Sequence, residues 1–344
     1  MSEERGRRCA VAAVVFLLAL PVCAALAADA ATTDTATFAR LMAKAWSRDR
    51  VFERVKKVCV ADGTLYVLGA PRGLDAIDPA TGITRWLHVG RYPVDTPPTR
   101  LEGVVSFAEG GELVGIDEKT GLEKSRTKIR VGVRTPVYPH EDYWTVASGD
   151  DRVYGLSPTD GRRLWHVTIN DLVTGSDWRA ENPEVSVFMT RTGTLTAVDL
   201  DIRGIAWQTP FRKPECSAPT LAPPLVFVGC EDYYLYALSV KSGLEQWKVC
   251  LSAPVLEKPV AAHGRVYATT ADGVLHAVDI ERQEVLWANP QGGRVLTATE
   301  EWVVLHRRTK ELNLIAVADA ATGKVTAQAT ARDHEYFAAD PTSG

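Results

Sequence analysis

Apolar and polar residues alternate along most of this chain in short runs broken by turn residues. The stretch 266–287 shows the unit clearly: Val266–Thr269 and Val274–Val278 flank Ala271-Asp272-Gly273. Alternation implies strands with one face buried, and Asp-Gly supplies the positive φ of a tight hairpin turn. A second turn covers Asp279–Gln283, and a third run carries Trp287.

The unit recurs. Aligned on Asp279, the series is Asp78, Asp117, Ser157, Asp199, Ser239, Asp279 and Asp319, at spacings of 39, 40, 42, 40, 40 and 40 residues. Four residues after the anchor stand Gly82, Gly121, Gly161, Gly243 and Gly323; Arg203-Gly204 is displaced by one, and Gln283 replaces the glycine in the sixth unit. Eight residues after the anchor stand Trp86, Trp165, Trp207, Trp247 and Trp287, with Ser125 and Ala327 in the second and seventh units. Each unit holds four strand candidates; in the fifth they are Ser217–Leu221, Leu225–Gly229, Tyr234–Leu238 and Glu245–Val249.

A period near 40 built only of strands predicts an all-β fold. The expected architecture is a seven-bladed β-propeller of four-stranded antiparallel blades over residues 51–332. One blade cannot bury both of its faces, so neighbours must stack. The anchor and the glycine form the turn between third and fourth strands, with the anchor side chain accepting backbone N–H groups. Trp86, Trp165, Trp207, Trp247 and Trp287 are expected to act as wedges between blades, each with its indole N–H on a carbonyl. Each blade has its own four strands, so the first is expected to pack on the seventh with no strand exchanged.

The N-terminus breaks the pattern. Arg5, Arg7 and Arg8 precede an apolar run from Ala10 to Leu26, and Ala25-Leu26-Ala27 ends it. Residues 1–27 therefore read as a secretory signal peptide. A single membrane anchor is the competing reading, although Pro21 interrupts the run. Leu20-Pro21-Val22-Cys23 faintly resembles a lipoprotein box, which would make Cys23 a lipid-anchored N-terminus; Val22 is bulky for that pattern. Residues 28–50 form a linker with a short helix, in which Phe38, Leu41, Met42 and Trp46 fall at near-helical spacing as a plug, cap or partner-binding stripe. Residues 333–344 form a C-terminal tail.

The repeat as a whole is similar to that of quinoprotein-like (PQQ-like) β-propellers. The matching runs are Leu74-Asp75-Ala76-Ile77-Asp78-Pro79-Ala80-Thr81-Gly82-Ile83-Thr84-Arg85-Trp86 and Tyr236 to Trp247. The resemblance covers roughly Val51 to Arg332. That family includes pyrroloquinoline-quinone dehydrogenases and non-catalytic scaffolds of the outer-membrane assembly factor B type. Both are typically eight-bladed, and this chain has seven repeats. The enzymes carry adjacent cysteines over the cofactor and a Glu, Asn and Asp calcium site; no two cysteines are adjacent here.

Composition changes the picture little. The 344 residues carry a formal net charge of −4, which gives no basic footprint for nucleic acid. The turns Gly149-Asp150-Asp151, Glu231-Asp232 and Asp272-Gly273 offer one or two carboxylates each, short of the roughly six to eight oxygens of a calcium site. Ser125-Arg126-Thr127-Lys128 fits Ser-x-x-Lys, but its companion motifs are missing. Histidines 88, 140, 166, 263, 276, 306 and 334 stand singly, without zinc spacing. No catalytic residue, cofactor ligand or metal ligand is assigned.

Four cysteines follow the leader. Cys216 and Cys230 lie symmetrically about Pro223 in one predicted hairpin, so a cross-strand disulfide is expected, with Cys250 as the rival partner. Cys59 is expected to be a buried free thiol. The function expected is a non-enzymatic, exported scaffold for protein–protein interaction in the periplasm or outside the cell, in envelope or outer-membrane protein assembly. Its partners would be other envelope proteins, and the chain itself a monomer. The alternatives are a quinone-dependent oxidoreductase relative and a small-ligand or glycan-binding propeller.

Overall fold

The computed structural model describes residues 15–17, 54–61, 63–70, 73–179, 182–308, 313–331 and 336–338. Seven four-stranded antiparallel sheets follow one another along the chain, each built from four consecutive strands. They are the blades of a propeller and span 54–88, 99–128, 138–168, 173–210, 220–250, 260–289 and 294–331. Among the described residues no strand passes from one end of the chain into the sheet at the other. A separate parallel pair joins Val15–Leu17 to Tyr336–Ala338. The helix expected in 28–50 and the cysteine at 23 lie outside the described residues.

The second and third strands are buried on both faces. Residues alternate between the preceding and the following blade, as period-two geometry requires. In blade 5, Val226 and Val228 join Val187, Met189 and Leu195 of blade 4, while Phe227 joins Val266 and Val278 of blade 6. Comparable clusters fill the other junctions from blade 1 through blade 7. The core is thus a series of inter-blade seams.

Each seam is closed at its outer edge by one device. In all seven blades the pairing of third and fourth strands shifts by one residue just before the tryptophan position. The skipped residue is a β-bulge, which twists the outer strand and re-aims the next side chain. The residue opposite the tryptophan position is small in six blades: Ala76, Gly115, Gly155, Ala197, Ala237 and Ala277.

The re-aimed indole meets the turn of the next blade. Trp86 donates to Glu118 O (2.7 Å), Trp207 to Val240 O (2.7 Å) and Trp287 to Ala320 O (2.9 Å). Each acceptor directly follows an anchor. The same indoles lie against Gly121, Gly243 and Gly323, where a Cβ would collide with the ring. The anchor holds that turn: Asp78, Asp117, Asp199, Asp279 and Asp319 each accept two backbone N–H bonds on Oδ1, at 2.7–3.1 Å.

The lock is incomplete where the glycine is missing. Arg203 replaces it opposite Trp165 and adopts φ 56°. Tyr143 donates to Leu200 O (2.6 Å), the carbonyl that Trp165 would otherwise take. Trp165 Nε1 is then buried with no hydrogen-bond partner among the described residues.

This contrast gives a test. Trp207→Phe leaves a buried carbonyl unpaired and is expected to cost about 1–3 kcal/mol, whereas Trp165→Phe removes no hydrogen bond and costs less. Denaturant midpoints of the two variants measure the difference. Gln283, also left-handed at φ 62°, is expected to gain up to about 1 kcal/mol on Gln283→Gly.

Candidate interaction face

Antiparallel order places the turns between second and third strands on one face of the ring. The linkers from each fourth strand to the next first strand lie on that same face. The turns carrying the anchors lie on the other. The inner strand of blade 1 begins at Arg54 on the linker face, and the outer strand of blade 7 ends there at Ala331.

Most acidic groups on the linker face are occupied. Tyr154 OH donates to Asp150 (2.7 Å), and Ser148 Oγ also bonds it. Burial pushes the Asp150 carboxyl up, but these hydroxyls and the Arg152 charge hold it below the usual range. Tyr236 OH donates to Asp232 (2.6 Å). Thr270 Oγ1 donates to Asp272 (2.6 Å), whose carboxyl is also held low, chiefly by that bond. These carboxylates shape turns, and nothing in their geometry converges on a ligand.

Ser252 Oγ lies 3.0 Å from His276 Nε2. The pair lacks a third member: His276 Nδ1 is buried without a partner among the described residues. Burial also lowers the basicity of the imidazole, against the nearby Asp272 charge. An unoriented, weakly basic imidazole is a poor activator of a serine. His276 belongs to the sheet packing of blade 6.

The donor set also fits neither a quinone nor its calcium. No cysteines are adjacent, and among the described residues no three His, Cys, Asp or Glu side chains group as metal ligands. A cavity of about 410 Å³ lies between residues of blades 4, 6 and 7, with Arg179 and Lys258 in its wall. Both cations are engaged by Asp177, at 3.5 and 2.8 Å, and Asp177 also accepts Leu221 N (2.7 Å). This network ties blades 4, 5 and 6 together.

Cys216 and Cys230 sit opposite each other at the linker face of blade 5, with the sulfurs bonded at 2.03 Å. The first strand is shorter than the sequence pattern suggests, Thr220–Ala222, so the bridge stands beyond it. Cys250 closes the fourth strand, one residue beyond the Val249 expected. Tyr234 separates it from Cys230 in the same cross-strand row. Two strand spacings, about 9.5 Å, exceed disulfide reach. Cys59 is a free thiol, and burial pushes its pKa up to about 12 despite Lys57 nearby.

One region of the linker face was not marked by the repeat. Glu109 ends the second strand of blade 2 and is fully buried. Its carboxylate accepts the N–H groups of Arg91 (2.5 Å) and Tyr92 (3.0 Å), lies 2.9 Å from His88 Nε2, and pairs with Arg126 at 3.4 Å. Gly90 passes so close that a Cβ would meet the carboxylate. Glu109 thereby folds the linker between blades 1 and 2 and turns Val89 and Tyr92 outward. They are 68% and 50% exposed, and Val131 in the next linker is 60% exposed. Tyr92 lies on Gly110 of blade 2, and Val131 correspondingly lies on Gly149 of blade 3, while Gly111 meets the backbone of Gly132 between them. Val131 is left-handed at φ 60°, a rare state for a β-branched residue.

A family model described as outer membrane protein assembly factor BamB matches residues 96–200, 149–250 and 191–337. The chain belongs to this family. Outer membrane protein assembly factor BamB of Nitrosomonas eutropha is 26% identical over 170 residues, 44% of this chain and 38% of that one. The Yersinia pestis protein of the same name is 28% identical over 146 residues, 38% of this chain and 36% of that one. The chain therefore spans under two-fifths of the length of these curated relatives. Among solved structures, BamB from Moraxella catarrhalis superposes with TM-score 0.66 at 13% identity, over 79% of this chain and 84% of that one. The computationally designed Ika8 protein does so with TM-score 0.68 at 14% identity, covering 83% and 89%. At these identities the likeness of the solved structures shows the fold.

The Glu109 carboxyl is held below its ordinary value near 4.5: burial raises it, and the bonds from His88 and Tyr92 N with the Arg126 charge more than offset this. A depressed folded pKa contributes stability above the unfolded value and loses it as pH falls through the folded value. Glu109→Gln is therefore expected to lower stability by about 2 kcal/mol at pH 7. The gap should narrow below about pH 4.5. Urea midpoints taken between pH 3 and pH 7 read both effects.

Proposed function

We propose that this chain is an exported, non-enzymatic scaffold that acts in outer-membrane protein assembly by offering its linker face to other envelope proteins. Membership in the BamB family supports the assembly role. The observation that carries the choice of face is the Val89, Tyr92 and Val131 surface. Glu109 and the left-handed Val131 backbone fix these apolar side chains outward, which the exposed Ile83, Leu122, Ile202 and Leu244 of the anchor turns do not share. Monomeric organisation fits a ring that completes its own blades. The quinone-dependent alternative rests on the family resemblance alone, and among the described residues no three His, Cys, Asp or Glu side chains group as metal ligands.

Export also suits the Cys216–Cys230 bond, because oxidising compartments allow such pairs to persist. A non-reduced digest is expected to contain the linked Cys216 and Cys230 peptides; a Cys216–Cys250 peptide would contradict the assignment.

The partner reading has its own test. Tyr92→Asp and Val131→Asp should abolish recovery of copurifying envelope proteins, while Leu244→Asp on the opposite face should leave it intact. Equal recovery with all three variants would overturn the choice of face.

A further inference from the structure

Two cavities of about 410 Å³ each share Glu257, Thr269 and Arg294 in their walls. The first is bounded by Asp272 and Gly273 of the blade 6 turn and by Pro290, Gly292 and Gly293 of the linker into blade 7. It therefore belongs to the linker face. The second is the one beside Arg179 and Lys258. The linker into blade 7 is closely fitted: a Cβ on Gly292 would meet Leu275 N, and one on Gly293 would meet His306 O. This holds the backbone from which Arg294 opens the inner strand of blade 7.

The charges in these walls are unequally used. Asp177 holds Arg179 and Lys258, and Asp272 accepts from Thr270 Oγ1 (2.6 Å) and Val274 N (3.3 Å). Arg307 lines the first cavity, two residues beyond Leu305 of the seam with blade 6, so strand alternation turns it to the same side. Among the described residues, Arg294, Arg307 and Glu257 have no hydrogen-bond or ion-pair partner. Leu256, 45% exposed, borders the first cavity beside them. Unpaired guanidinium groups at a cavity recognise carboxylates through charge-assisted bonds. A bare anion would also meet Glu257 and be repelled. A peptide satisfies both charges, because its N–H groups donate to Glu257 while its acidic side chains pair with the arginines. An apolar neighbour in the same peptide covers Leu256.

We propose that the junction of blades 6 and 7 binds an acidic peptide segment, with Arg294 and Arg307 on its carboxylates and Glu257 on its backbone N–H groups. The inference goes beyond the scaffold reading. It stands on linkers other than those that carry Val89, Tyr92 and Val131, and it needs none of those side chains.

Fluorescence anisotropy of a labelled peptide of alternating glutamate and leucine, against a copy with glutamine for glutamate, tests this on the full chain. The acidic peptide is expected to bind about tenfold more tightly, and Arg294→Gln and Arg307→Gln each to weaken it about tenfold. Neither substitution should move the denaturant midpoint, since neither arginine has a partner to lose. Tyr92→Asp should leave peptide binding unchanged. Equal affinity for the two peptides, binding of neither, or full binding by both arginine variants would overturn the site. So would loss of the acidic peptide in Tyr92→Asp, which would place it on the other linkers. The first three outcomes leave the scaffold reading intact, since its own test is the loss of copurifying proteins. Conversely, peptide binding lost in the arginine variants, with copurification unchanged in Tyr92→Asp and Val131→Asp, would retain this site and refute the partner face.

Discussion

The meeting of one blade's outer edge with the next blade's turn is the contact on which this structure depends. Every sheet is apolar on both faces, so no blade is stable apart from its neighbours. A bulge before the tryptophan position turns that side chain out of its own sheet. The indole then covers a glycine of the next turn and donates to the carbonyl beside the anchor. Anchor, glycine, bulge and tryptophan are one mechanism spread over two blades. Where the glycine becomes Arg203, the turn persists at the expense of a left-handed arginine, and Trp165 gives up its acceptor to Tyr143.

This economy decides where function can reside. The anchors, glycines and tryptophans that repeat are committed to seams and turns, and carboxylates that catch the eye in sequence are satisfied by hydroxyls of their own blade. What remains is the exposed side chains of the linkers and turns. On the linker face, buried Glu109 shapes one connection and thereby sets the position of Val89 and Tyr92. A charged group hidden beneath the surface thus determines which apolar groups are displayed on it.

Much of the fold was legible in the chain because its period is carried by residues with few substitutes. Aspartate, glycine and tryptophan recurring near every fortieth position announce turns and an outer edge. The bulge was not legible, since Thr84-Arg85-Trp86 reads as ordinary alternation and only the pairing shows which residue is skipped. The loss of an indole partner at Trp165 depends on Tyr143, more than twenty residues away, and no local pattern signals it. The candidate surface was hidden for a related reason. Tyr92 and Val131 both stand fourteen residues after an anchor, but no residue type marks that position, and Glu109, His88 and Arg126 converge only when blades 1 and 2 stack. The paired glycines 110 and 111, and a valine before Gly132, were the one local hint. The fourth strand of blade 5 runs one residue past Val249 and takes in Cys250, which fixes it two strands away from Cys230.

The central claim is that this ring acts through its linker face. Hydrogen exchange of the chain bound in its envelope assembly, against the free chain, addresses it most directly. The account predicts protection on binding confined to the linker face, centred on residues 89–92, 110–111 and 129–132. Protection centred instead on the anchor turns, such as Asp78–Gly82 and Ser239–Gly243, would contradict it.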